Sequence, residues 1–186
     1  MINDNQSSIR SLCRWLRVTS GLFVVGVLII YLLSWLLPEL TGGSHIHVMR
    51  LHLAGVSTDV MAQLTTLQRL QLSAASLPYL AALVWAFIRL DKLLQRFSRN
   101  EFFTREAIAH LRAFSGWLLV AKLLALAAMH VRAGMVTHLF GNTSRRITLN
   151  LSNDDLAVIL MCGLFFLVAR MMEEGRRLAE ENREFI

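Results

Sequence analysis

Residues 18–37, VTSGLFVVGVLIIYLLSWLL, make an uncharged apolar run, and three weaker runs follow at about 72–90, 114–136 and 156–172. A helix needs roughly 20 residues, at ~1.5 Å each, to cross ~30 Å of hydrocarbon, so each run predicts one membrane span. Helices of a soluble bundle keep a polar face, and the first and fourth runs have none. The pattern predicts an all-α chain, a four-helix transmembrane bundle in which 1–186 is a single transmembrane domain and 38–71 and 137–155 are the outer loops.

Between the runs the periodicity changes. Residues 45–53, HIHVMRLHL, alternate loosely and 146–152, RITLNLS, alternate more clearly, which predicts two short strands forming a small extracytoplasmic β-cap. After Ser57-Thr58-Asp59, an N-cap cluster, Val60, Leu64, Leu67 and Gln71 recur at helical spacing. Span two is therefore expected to begin as an amphipathic helix outside the membrane and to continue past Asp91 as one rod. Residues 100–104 interrupt that rod, and Thr104 is placed to cap a helix with Glu106 in its first turn that runs into span three. Ser152-Asn153-Asp154-Asp155 fits an S-x-x-D cap at the start of span four. Residues 171–186 read as a charged continuation, with Glu173 facing Arg177 and Arg176 facing Glu180 at i,i+4. These two segments are the expected cytoplasmic helical extensions.

Composition supports the membrane assignment: 55% hydrophobic and 17% charged, against about 45–50% and about 25% in soluble chains. Basic residues are unevenly spread. The N-terminus holds three, the middle loop six and the C-terminus four, against five in the two outer loops, Arg132 among them. Lys and Arg resist translocation, so both termini and the middle loop are expected in the cytoplasm. The net charge of +6 is then chiefly a topology signal, and no direct nucleic-acid partner is expected. The first apolar run exceeds a signal peptide's core of ~7–15 residues and no small-x-small site follows it, which makes it an uncleaved span. Cys13 and Cys162 have the placement of packing residues.

Few residues carry candidate chemistry. Lys122 interrupts the third apolar run, with His130 and Arg132 farther along it; an ionisable group at membrane depth either snorkels to the headgroups or serves an aqueous path. Ala121, Ala125 and Ala128 beside Lys122 form a small-residue stripe suited to close helix packing. His45, His47 and His52 are weak candidates for a zinc or copper site, because an H-x-H pair on a strand puts both imidazoles on one face. No cofactor is expected: only His130 lies in a span to ligate haem, and no nucleophile set or phosphate loop emerges, so the chain is not expected to be an enzyme.

Two stretches carry a resemblance. Residues 100–114, NEFFTREAIAHLRAF, and 175–186, GRRLAEENREFI, resemble in order the two motifs of a bacterial family of four-span membrane proteins known as domain of unknown function two-nine-seven-five. The resemblance implies a helical inner-membrane protein without a known reaction, some of whose relatives are encoded beside small helix-turn-helix regulators. It points to Phe103, Thr104, Glu106, Leu111 and Arg112, then Gly175, Leu178, Glu180, Glu181, Asn182 and Ile186. The first expectation is an integral inner-membrane regulatory or scaffolding protein that engages a cytoplasmic protein regulator through Phe103, Thr104, Glu106, Arg112, Gly175, Glu180, Glu181 and Asn182. The alternative is a small homo-oligomeric pore or transport-accessory protein with Lys122, His130 and Arg132 along its path. Four spans leave little room for conduction, so a pore needs several copies around an axis.

Overall fold

A computed structural model describes residues 2–36, 64–99, 101, 103–140 and 153–184. Among the described residues five helices follow one another: α1 (Ile2–Leu36), α2 (Thr66–Ala74), α3 (Leu77–Ser98), α4 (Arg105–Phe140) and α5 (Asn153–Glu184). No strand occurs among the described residues. The segments of the expected β-cap, 45–53 and 146–152, lie outside the described residues, as do His45, His47 and His52.

Among the described residues three helices are long and apolar enough to cross a membrane, Arg10–Leu33, Arg105–His138 and Asn153–Asn182; there are four such spans if α2 and α3 count as one bent span. Many large apolar side chains are exposed and many small residues are covered. Ala86, Ala107, Ala169, Ser76 and Ser115 are fully covered, whereas Leu160 is 78% and Leu22 66% exposed. Lipid tails are as apolar as leucine, so nothing drives large side chains inward, while small residues let backbones approach and gain dispersion contact. The chain is a membrane-spanning helical protein.

The expectation of one uninterrupted second span needs correction. α2 ends at Ala74, α3 begins at Leu77, and the two axes are bent by 43°. Pro78 supplies the reason: its ring collides with the carbonyl four residues back, at Ala74, and it offers no N–H to continue the ladder. Helical bonding resumes where the Leu80 N–H donates to the Ser76 carbonyl at 3.1 Å, which places Pro78 in the tolerated first turn. The helical spacing expected through Leu64 and Leu67 is also interrupted. Leu64 and Thr65 are non-helical; Thr65 is the N-cap, and its N–H donates to Gln68 Oε1 at 2.9 Å. Ser57-Thr58-Asp59 lies outside the described residues.

The described chain forms two compact units. The first comprises Met1–Val24, Ala82–Val120 and Ser152–Ile186. Its core joins Leu93, Ala107, Ile108, Leu111 and Ala169, with Leu90, Phe97, Phe165 and Met172 packed around them. Phe114 extends this seam to Phe87 and Phe165, at ring-centroid separations of 6.5 and 5.7 Å. The pairing of Leu90 and Leu93 with Ile108 and Leu111 makes α3 and α4 an antiparallel hairpin. The second unit comprises Val25–Ala81 and Ala121–Leu151. There Ala121 and Ala128 are buried and Ala125 half-buried, so the alanine stripe is a packing face.

Candidate functional site

The first candidate site is the turn between α3 and α4 with the C-terminal part of α5, all in the first unit. The α3 ladder ends at Arg99, whose N–H donates to the Arg96 carbonyl at 3.0 Å. Arg96 then folds over the turn and pairs with Glu101 at 2.9 Å and with Glu106. Thr104 caps α4: its Oγ1 accepts from the Ala107 N–H at 3.2 Å and its carbonyl from the Ile108 N–H at 3.1 Å. Glu106 lies in the first turn, where the helix dipole favours a carboxylate. Phe103 stands out of the turn, 61% exposed. Beyond Met172, α5 carries two charge ladders, Arg176 with Glu173 at 2.7 Å and with Glu180, and Arg177 with Glu174 at 3.1 Å and Glu181 at 3.2 Å. The Arg176 guanidinium holds the Glu173 carboxyl below the usual carboxylate range, and Arg112 and Arg105 of α4 add to the effect. Arg105 and Arg112 are therefore near enough to α5 for the two charged segments to share one electrostatic environment.

The second candidate is a buried polar centre at the α2–α3 break, wholly within the second unit. The Tyr31 hydroxyl donates to the Ser73 carbonyl at 2.6 Å. Arg132 donates to Ser76 Oγ at 2.9 Å and to the Ala128 carbonyl at 3.2 Å. Arg132 and Tyr31 are each only 4% exposed and Ser76 is fully covered. Broken helices are tolerated at membrane depth only where side chains take up polar groups at the break, as Tyr31 does for the Ser73 carbonyl. Arg132 was grouped with the outer loop by its position in sequence; it lies inside α4, buried, because that helix continues to Phe140.

The family described as "Protein of unknown function (DUF2975)" matches residues 56–186. The chain belongs to the DUF2975 family. Neither a curated protein nor a solved structure matches this DUF2975 member.

The matched motif divides into two sets of positions. Ala107, Ile108, Leu111 and Phe114 form the packing seam and Thr104 is a cap, so much of NEFFTREAIAHLRAF serves the fold of the DUF2975 helices. Phe103, Glu106 and Arg112 project outward on the same turn and helix. Gly175, Glu180, Glu181 and Asn182 are exposed on α5, and a Cβ built on Gly175 meets nothing within 4 Å, so packing does not require glycine there. The expected Glu173–Arg177 pair is replaced by Glu173–Arg176, an i,i+3 neighbour on the same turn. Lys122 and His130 are half-buried. At about 100° per residue, His130 and Arg132 point roughly 160° apart, so they occupy different faces of α4. No group of three His, Cys, Asp or Glu placed to hold a metal occurs among the described residues.

Sequence reading left three features unseen. One is the break, which Pro78 signals but the apolar run around it masked. Another is Tyr31, a lone tyrosine inside the first span. The third is the ion pair of Arg17 Nε with Asp91 Oδ1, at 2.6 Å, which ties α1 to α3, while Asp91 Oδ2 accepts from Gln95 Nε2 at 2.8 Å. Its two halves are 74 residues apart, so no local spacing announces them.

Proposed function

We propose that this DUF2975 protein is an inner-membrane regulator or scaffold, and not an enzyme, whose cytoplasmic face engages a soluble protein partner. The single observation that carries the proposal is the continuation of α5 beyond Met172 as a solvated, charge-laddered helix beside the exposed Phe103, Glu106 and Arg112. A helix stiffened by i,i+3 and i,i+4 pairs projects side chains from fixed positions, and Phe103 and Leu178, 61% and 51% exposed, supply apolar anchors among charges. The excess of Lys and Arg around this end and the N-terminus supports a cytoplasmic orientation for both termini.

The test is site-specific photocrosslinking in intact cells, with the reactive residue at position 103 or 178 and, as a control, at lipid-facing Leu160. The proposal expects one and the same soluble chain attached at 103 and 178 and lost when Glu180 and Glu181 are both reversed to lysine. Adducts that consist only of this chain joined to itself refute it.

The pore reading has one observation in its favour, the half-buried Lys122 within the apolar part of α4. Ion flux through reconstituted protein separates the two. A regulator keeps the same negligible flux with Lys122→Leu, whereas a pore changes its conductance.

A further inference from the structure

The α3–α4 hairpin carries a second cationic feature, away from the turn and on residues the proposed partner does not use. Trp85 and Trp117 meet edge to face across the hairpin, ring centroids 6.2 Å apart. Counting from this pair toward the turn, Lys92 lies seven residues along α3 and His110 seven residues along α4. Seven residues is two helical turns, about 10.5 Å, so antiparallel packing brings Lys92 and His110 to one level on the face that carries the tryptophans. Arg89 lies between the levels, its guanidinium 5.5 Å from the centre of the Trp85 ring. Arg89, Lys92 and Arg96 all act electrostatically on His110, with Glu106 the opposing carboxylate.

Among the described residues, the cations of the first unit divide into those with a carboxylate partner and those, Arg89 and Lys92 among them, without one. Arg17 is matched by Asp91, Arg96 by Glu101 and Glu106, and Arg176 and Arg177 by the glutamates of α5. Arg89 and Lys92 make no ion pair among the described residues, and Arg89 Nε is buried without a hydrogen-bond partner. A buried guanidinium N–H needs an acceptor. The nearby carboxylates are engaged by Arg17 and Arg96, which leaves this N–H open to an acceptor from outside the chain. Tryptophan pairs settle at the level of the lipid headgroups, and a cation one to two turns beyond them reaches the phosphate layer.

We propose that Trp85, Arg89, Lys92, His110 and Trp117 form a binding site for the phosphodiester headgroup of an anionic membrane phospholipid. Arg89 and Lys92 contact the phosphate oxygens, and Trp85 holds the Arg89 stem by stacking beneath its guanidinium. The tryptophan pair lies along the glycerol backbone and fixes the depth of the hairpin.

The experiment is native mass spectrometry of the full chain in micelles doped with equal amounts of phosphatidylglycerol and phosphatidylcholine. Wild-type protein is expected to retain phosphatidylglycerol in preference. Arg89→Gln with Lys92→Gln is expected to reduce that retention about thirty-fold, from about fivefold per basic residue at a lipid surface. Arg14→Gln with Arg170→Gln removes the same charge from two other exposed positions and is expected to leave retention unchanged. Inorganic phosphate at millimolar concentration is expected to displace nothing. Equal loss in both double variants reduces the effect to bulk charge and overturns the proposal, as does unchanged retention in the first. Displacement by inorganic phosphate assigns the site to a soluble anion and overturns the lipid assignment. If the first double variant fails to fold, Lys92→Gln alone changes only an exposed side chain and is expected to give the fivefold loss; full retention there overturns the proposal equally.

Discussion

The chain interrupts its helices twice among the described residues, at 75–76 between α2 and α3 and at 99–104 between α3 and α4, and the two interruptions are held by different chemistry. At the first, a phenol from α1 and a guanidinium from α4 reach in from other helices, to a backbone carbonyl and a serine hydroxyl, with Tyr31, Arg132 and Ser76 nearly or fully covered. At the second, the partners are local: Thr104 caps its own helix, and Arg96 pairs with Glu101 and Glu106, all within one turn. An apolar medium offers no water to substitute for a missing partner, so the first interruption depends on tertiary contacts. A solvated turn has water in reserve, so its ion pairs add little. Structural necessity is concentrated at the first interruption, and the surface of the second remains available for binding.

Substitutions that separate the two regions test this contrast. The largest effect is expected for Arg132→Ala, which empties a large covered volume and removes the donor to Ser76; unfolding in mixed micelles should show a loss of about 2–4 kcal/mol. A change below about 0.5 kcal/mol would mean the buried centre is dispensable and the comparison fails. Tyr31→Phe keeps the ring and deletes only the bond to the Ser73 carbonyl, with an expected loss of about 1 kcal/mol, measured the same way. Thr104→Ala removes the cap of α4, for which about 0.5–1 kcal/mol is expected; amide exchange rising at Ala107 and Ile108 alone would confirm that the loss is local. Glu101→Gln is expected to leave the unfolding midpoint unchanged, because its pair with Arg96 is solvated. A clear downward shift would show that the second turn also depends on its charges.

The same contrast explains what could be read from sequence. Signals confined to one helix were legible: the uncharged first run became α1, the Thr104 cap with Glu106 behind it became the start of α4, and the acidic cluster at Asn153 opens α5. The charged end of α5 was also legible, although the choice of Arg176 over Arg177 for Glu173 depends on side-chain rotamers that spacing alone does not fix. Pro78 was a local signal that hydropathy averaging across 72–90 concealed. Groups brought together from distant helices were not legible. Arg132 resembles a loop cation until Ser76, 56 residues earlier, is seen to receive it, and Asp91 resembles a helix-end charge until Arg17 meets it. For the same reason the motif residues could not be sorted in advance into those that pack, such as Ile108 and Leu111, and those that face outward, such as Phe103 and Arg112.

The central claim, that the solvated end of this membrane protein serves a partner, is tested most directly by the mass of the intact assembly released from its native membrane with its lipids retained. The account predicts this chain in fixed stoichiometry with one soluble protein, which dissociates when Glu180 and Glu181 are both reversed to lysine. A closed ring containing only copies of this chain, unaltered by that reversal, would contradict it.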